Sequence, residues 1–98
     1  MNAQEREAFY DADVAPVLLE LARKCETNGL SFAAMVEWAP EDTGETISLR
    51  EGAGIKTIMA AFSIRSHGNA DSLIGALMRH GKEHGHNSAY LHMLERKV

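Results

Sequence analysis

The chain has 98 residues, 45% apolar and 24% charged, with a formal net charge of −4. That composition excludes a disordered chain, a collagen-like repeat and a strongly basic nucleic-acid arm. No run of about 18 apolar residues exists to cross a membrane, and the length fits one small domain over 1–98.

Residues 3–10 read as helical and end in Phe9-Tyr10. Val14, Val17, Leu18, Leu21, Ala22 and Cys25 then recur at the spacing of one helical face, which predicts a helix over 14–27. Asp13 is expected to be its N-cap, with Pro16 in the first turn and Asn28-Gly29 as the stop. The two pieces are either separate helices or one long helix kinked at Pro16.

Residues 30–38, LSFAAMVEW, switch to a period of two. Phe32, Ala34, Val36 and Trp38 share one face of the expected strand, and Ala33, Met35 and Glu37 share the other. Pro40 to Gly44 is expected to form the turn, and Glu45 to Arg50 the second strand, with Ile47 and Leu49 on one face. Glu51-Gly52-Ala53-Gly54 breaks this hairpin.

Ile55, Ile58, Met59 and Phe62 predict a helix over 55–66, ended by His67-Gly68-Asn69. Asn69 is expected to cap the next helix, with Asp71 in its first turn. That helix carries Leu73, Ile74, Leu77 and Met78 and stops near Gly85. Residues 88–95 are expected to form a short last helix capped by Ser88, with strand as the alternative. The fold class is therefore α+β, in the order α-β-β-α-α. A lone hairpin is marginal in water and leaves two open edges. The expected remedy is a homodimer that pairs two hairpins into a four-stranded sheet across a two-fold axis.

Charge and thiol usage bound the setting. Residues 1–51 hold eleven acidic side chains against four basic ones, while residues 52–98 hold three against six, together with all five histidines. Such halves can attract each other within one fold or between copies. The single cysteine, Cys25, allows no intrachain disulfide, and the N-terminus has no signal-like stretch, so the cytoplasm is the expected compartment.

Five constellations could carry function. His80 and His84, four apart on a helix, with His86 just beyond, could surround a zinc ion, with Glu83, Cys25 or His92 as a fourth ligand. The plainer reading is boundary histidines near a helix C-terminus, where positive charge is favoured. Gly54 and Lys56, in a strand-to-helix link, could bind an anion at the helix start. Ile55 stands where a phosphate loop needs glycine before lysine, so a flexible connection is the competing reading. Phe32, Met35 and Trp38 could anchor a protein interface, or simply pack in the core. Ser88 lies near His86 and His92, but no nucleophile motif surrounds it, and Cys25 sits in an apolar stripe. No catalytic residue and no cofactor is therefore expected. The two helices around His67-Gly68-Asn69 have the layout of a helix-turn-helix, yet no basic stripe accompanies it, so nucleic acid is not the expected partner.

Gly29-Leu30-Ser31-Phe32 through Glu37-Trp38, Thr43-Gly44-Glu45-Thr46, and above all the run from Gly68 to Leu94 resemble small phage- and prophage-encoded proteins of proteobacteria. The resemblance covers about two-thirds of the chain, mostly its second half. Its elements include no catalytic motif and bring no functional residues. It implies a genomic context, not a mechanism. Taken with the rest of the sequence, the expected function is that of a non-enzymatic accessory protein that acts by binding protein, itself and a host protein being the expected partners. A metal-binding or regulatory histidine site, or a weak DNA-binding regulator, is the alternative.

Overall fold

A computed structural model describes residues 1–86, Ser88 and Met93. Its elements are α1 (Ala3–Phe9), a π-helical turn (Tyr10–Val14), α2 (Ala15–Thr27), β1 (Phe32–Ala39), β2 (Asp42–Ser48), α3 (Ile55–Arg65) and α4 (Ala70–His84). This is the expected α+β order. Its contacts gather into two compact units, Met1–Ala61 and Phe62–Val98. The last helix expected over 88–95 lies outside the described residues, apart from Ser88 and Met93.

In the first unit, the helical stretch runs unbroken from Ala3 to Thr27. Asn2 caps it, its Oδ1 accepting from the Glu5 N–H at 2.8 Å. Asp13, expected to be a cap, instead lies inside the π turn, where no helix begins. Pro16 has no N–H to donate back along the helix. The turn before it widens, and the Ala15 N–H reaches the Tyr10 carbonyl five residues back. The two pieces thus form one continuous helical stretch, one of the two expected alternatives, with a π turn before Pro16, which stands in the first turn of α2 as expected. The wide turn also serves packing. Tyr10, Val14, Leu18 and Ala22 are four apart, and in a regular α-helix each such step drifts by about 40°. One turn of longer period absorbs part of that drift and keeps Tyr10 on the side of Ala22.

The stop at Asn28-Gly29 forms as expected. Gly29 has φ 73°, the Leu30 N–H bonds the Cys25 carbonyl at 2.8 Å, and the Gly29 N–H bonds the Glu26 carbonyl at 3.2 Å. This is a Schellman closure, which satisfies the last carbonyls of α2. Arg50 then ties the loop down, its Nη1 donating to the Gly29 carbonyl at 2.8 Å.

β1 and β2 pair antiparallel, with Phe32 opposite Ser48, Ala34 opposite Thr46 and Val36 opposite Gly44. Opposite residues share a face. One face therefore carries Phe32, Ala34, Val36 and Trp38, as the alternation predicts, and α1 and α2 pack on the sheet. Tyr10 and Trp38 stack on this side with ring centroids 5.0 Å apart. The turn is shorter than expected, only Pro40-Glu41, and β2 starts at Asp42. Gly44, read as a turn residue, is a strand residue. The space that a Cβ on Gly44 would need is filled by the Tyr10 ring. Glycine stands there because an aromatic ring lies on the strand backbone, not because a turn demands it.

The register slips between Glu37 and Ala39, leaving Trp38 as the extra residue of a bulge. Its carbonyl accepts from Arg6 Nε at 2.7 Å, and Arg6 Nη1 reaches the Met1 carbonyl at 2.7 Å. One guanidinium thus fastens the start of α1 to the bulge.

α3 spans the boundary between the two units. Its buried residue is Ala61, with Thr57, Ile58 and Ile64 half-buried nearby in the helix. Ile55 and Met59, expected on the same apolar face as Ile58 and Phe62, stand exposed. In the second unit α4 begins as expected, Asn69 Oδ1 accepting from the Ser72 N–H at 3.0 Å, and ends at Gly85 with φ 80°. Between α3 and α4, the Asn69 N–H closes a turn onto the Ser66 carbonyl at 3.0 Å. Both central residues are left-handed, His67 at φ 54° and Gly68 at φ 77°. A Cβ at Gly68 would meet nothing within 4 Å, so its conformation alone resists a side chain. Gly68→Ala is expected to lower stability by about 1 kcal/mol, and His67→Gly to leave it equal or higher, in urea denaturation.

Candidate functional site

Two surfaces draw together the residues singled out in the sequence. The first belongs to the hairpin and α2. The three interface candidates divide between the sheet faces. Phe32 and Trp38 are half-buried on the face that carries the Tyr10 stack, whereas Met35 lies on the other face and is 50% exposed. Ala33 and Ile47, directly opposite each other, adjoin Met35 there, followed by Glu45 opposite Met35 and then Glu37. The outer face is therefore apolar at one end and acidic at the other.

α2 has a similar exposed strip. Its sequence pattern counts Val17 and Leu21 among the inward residues, but they are 59% and 45% exposed. Ala22 is 4% exposed, with Leu18 and Cys25 half-buried beside it. A helix lying on a two-stranded sheet has room to bury only a narrow stripe, and small Ala22 lets the helix approach. Leu30, just past the helix stop, is exposed as well. Among the described residues the buried apolar side chains are Tyr10, Ala22 and Ala61, so little of the apolar complement is covered. Cys25 is a half-buried free thiol on the inner side of this helix.

The second surface is the end of α4. His80 and His84 stand one turn apart with ring centroids 4.7 Å apart. The His80 ring also meets Phe62 edge-on, at 5.8 Å between centroids. Glu83 Oε2 lies 3.6 Å from His84 Nε2. His86 takes a different place. The left-handed Gly85 turns the chain back, and the His86 ring fills the space that a Cβ on Gly81 would need. His86 Nδ1 accepts from the Ser88 N–H at 3.0 Å. Gly81 is about 100° around the helix from His80, so His86 covers a neighbouring strip. Among the described residues no three His, Cys, Asp or Glu side chains are gathered to hold a metal ion. The expected set of His80, His84 and His86 is thus reduced to a pair. His92 lies outside the described residues.

The anion-site candidates sit where the sequence puts them. The Gly54 carbonyl accepts the first bond of α3, from the Ile58 N–H at 3.1 Å, and Lys56 in the first turn is exposed. The turn therefore has the form of an ordinary helix start.

No helix among the described residues is long and apolar enough to cross a membrane. Comparison with family models, with curated proteins and with solved structures finds no match.

Proposed function

We propose that the chain is a non-enzymatic accessory protein, of the phage and prophage kind its sequence resembles, that acts by binding protein. Its first partner is a second copy of itself. One observation carries this reading: large apolar side chains stand exposed along the first unit. Val17 and Leu21 line one side of α2, and Met35 occupies the outer sheet face. Isolated exposed hydrophobes are ordinary, but Val17 and Leu21, four apart on one helix, form a strip, and Met35 stands on the opposite side of the sheet, so the unit has two apolar surfaces open to association.

The hairpin also favours self-pairing. Among the described residues the sheet has two strands, so each keeps one edge without a strand neighbour. β1 is the more suitable edge, with Glu37 as its one charged residue between Phe32 and Ala39. Antiparallel pairing about a two-fold axis must set residues of one face opposite each other, which centres it on a residue, not between two. Centred on Met35, Glu37 faces Ala33 of the second copy. Centred on Ala34, it faces Ser31. Neither arrangement opposes two carboxylates.

Sedimentation equilibrium at about 100 µM protein is expected to give twice the chain mass of 10.8 kDa. Met35→Lys, at an exposed site where folding tolerates charge, should return the mass to that of one chain. A wild-type mass of one chain at this concentration overturns the reading.

A further inference from the structure

We infer that His80 and His84 form a two-imidazole chelate for a divalent first-row transition cation at the end of α4. This is independent of the protein-binding role. The argument starts from helix geometry. Residues four apart project from one side about a turn apart, so both rings can meet one ion without bending the backbone. Their centroids are 4.7 Å apart. A metal–nitrogen bond of about 2.0–2.1 Å puts each ring centroid about 3.2 Å from the ion, and two rings at this spacing then subtend about 95°. That is close to the right angle between neighbouring ligands of an octahedral or square-planar ion.

One ring of the pair is also held in place. Phe62 meets the edge of His80 and limits its rotation, so less freedom is lost when an ion binds. His84 is largely exposed, which leaves the ion room to keep its water ligands. Glu83, 3.6 Å from His84 Nε2, adds a negative charge beside the ion. Imidazole suits Zn²⁺, Ni²⁺ and Cu²⁺ and disfavours Mg²⁺ and Ca²⁺, which take oxygen ligands. His86 is outside the chelate because its ring lies on Gly81. Two protein ligands leave the remaining positions to water or to a donor from another molecule. The ion bridges the last turn of α4, so binding stabilises that turn.

The test is calorimetric titration of the untagged full chain with zinc chloride, alongside His80→Gln, His84→Gln and His86→Gln. One-site binding is expected for the wild type and for His86→Gln. Losing either ring of a chelate removes the second, intramolecular contact, so affinity should fall about tenfold or more in His80→Gln and equally in His84→Gln. His84 is on the exposed helix surface, so its replacement separates ligand loss from any unfolding caused at His80. Magnesium chloride should give no heat of binding at the same concentration. The inference is overturned if the wild type does not bind zinc, if only one of the two variants is impaired, or if His86→Gln is impaired as much as they are.

Discussion

Gly44→Val is expected to destabilise the first unit by about 3 kcal/mol, although it puts a strong strand former into a strand. The reason is the Tyr10 ring, which lies where the new side chain must go. Val36 is directly opposite in the ladder, so the strand cannot slide away without losing register. Tyr10 would have to leave its stack on Trp38, and with it the burial of the largest side chain in this core. The companion measurement reverses the sign. In a Tyr10→Ala background the obstructing ring is gone, and Gly44→Val should be neutral or stabilising by up to about 1 kcal/mol, from strand propensity alone. Tyr10→Ala by itself should cost about 3–5 kcal/mol. Trp38 is the lone tryptophan of the chain, so its fluorescence in urea reports on this unit directly. Additive effects in the double variant would mean that Tyr10 and Gly44 do not meet.

A charge placed along α2 should divide the helix into two behaviours. Ala22→Asp buries a carboxylate between helix and sheet and is expected to cost about 3 kcal/mol or more, enough to unfold much of the unit. Val17→Asp introduces the same group in the same helix at a position 59% exposed, and should change stability by less than about 0.5 kcal/mol. Urea midpoints from far-ultraviolet circular dichroism measure both. The sequence pattern alone would rank the two changes together, because both residues belong to one apolar stripe. A large loss at Val17 in dilute protein would show that this flank is covered within a single chain.

The element order, the helix stop at Asn28-Gly29, the Asn69 cap and the sheet faces could be read from the sequence by itself. Each depends on neighbours within a few residues: period-two alternation from Phe32 to Trp38, a left-handed glycine after α2, an asparagine Oδ1 three residues before the amide it accepts. The same local logic placed His80 and His84 together, since four residues of helix decide it. What only the tertiary structure decided involves contacts between distant segments. Gly44 reads as a turn residue until Tyr10, 34 positions earlier, is seen lying on it. Pro16 reads correctly as the first turn of α2, but the π turn before it, which keeps Tyr10 on the side of Ala22, does not show in the local pattern. Val17 and Leu21 match the inward period, but a two-stranded sheet is too narrow to cover the whole stripe. His86 follows the histidine pair in sequence yet is drawn onto Gly81, because the left-handed Gly85 turns the chain back along α4. Periodicity states which residues prefer to leave water; how many of them succeed depends on the area of the surface they meet.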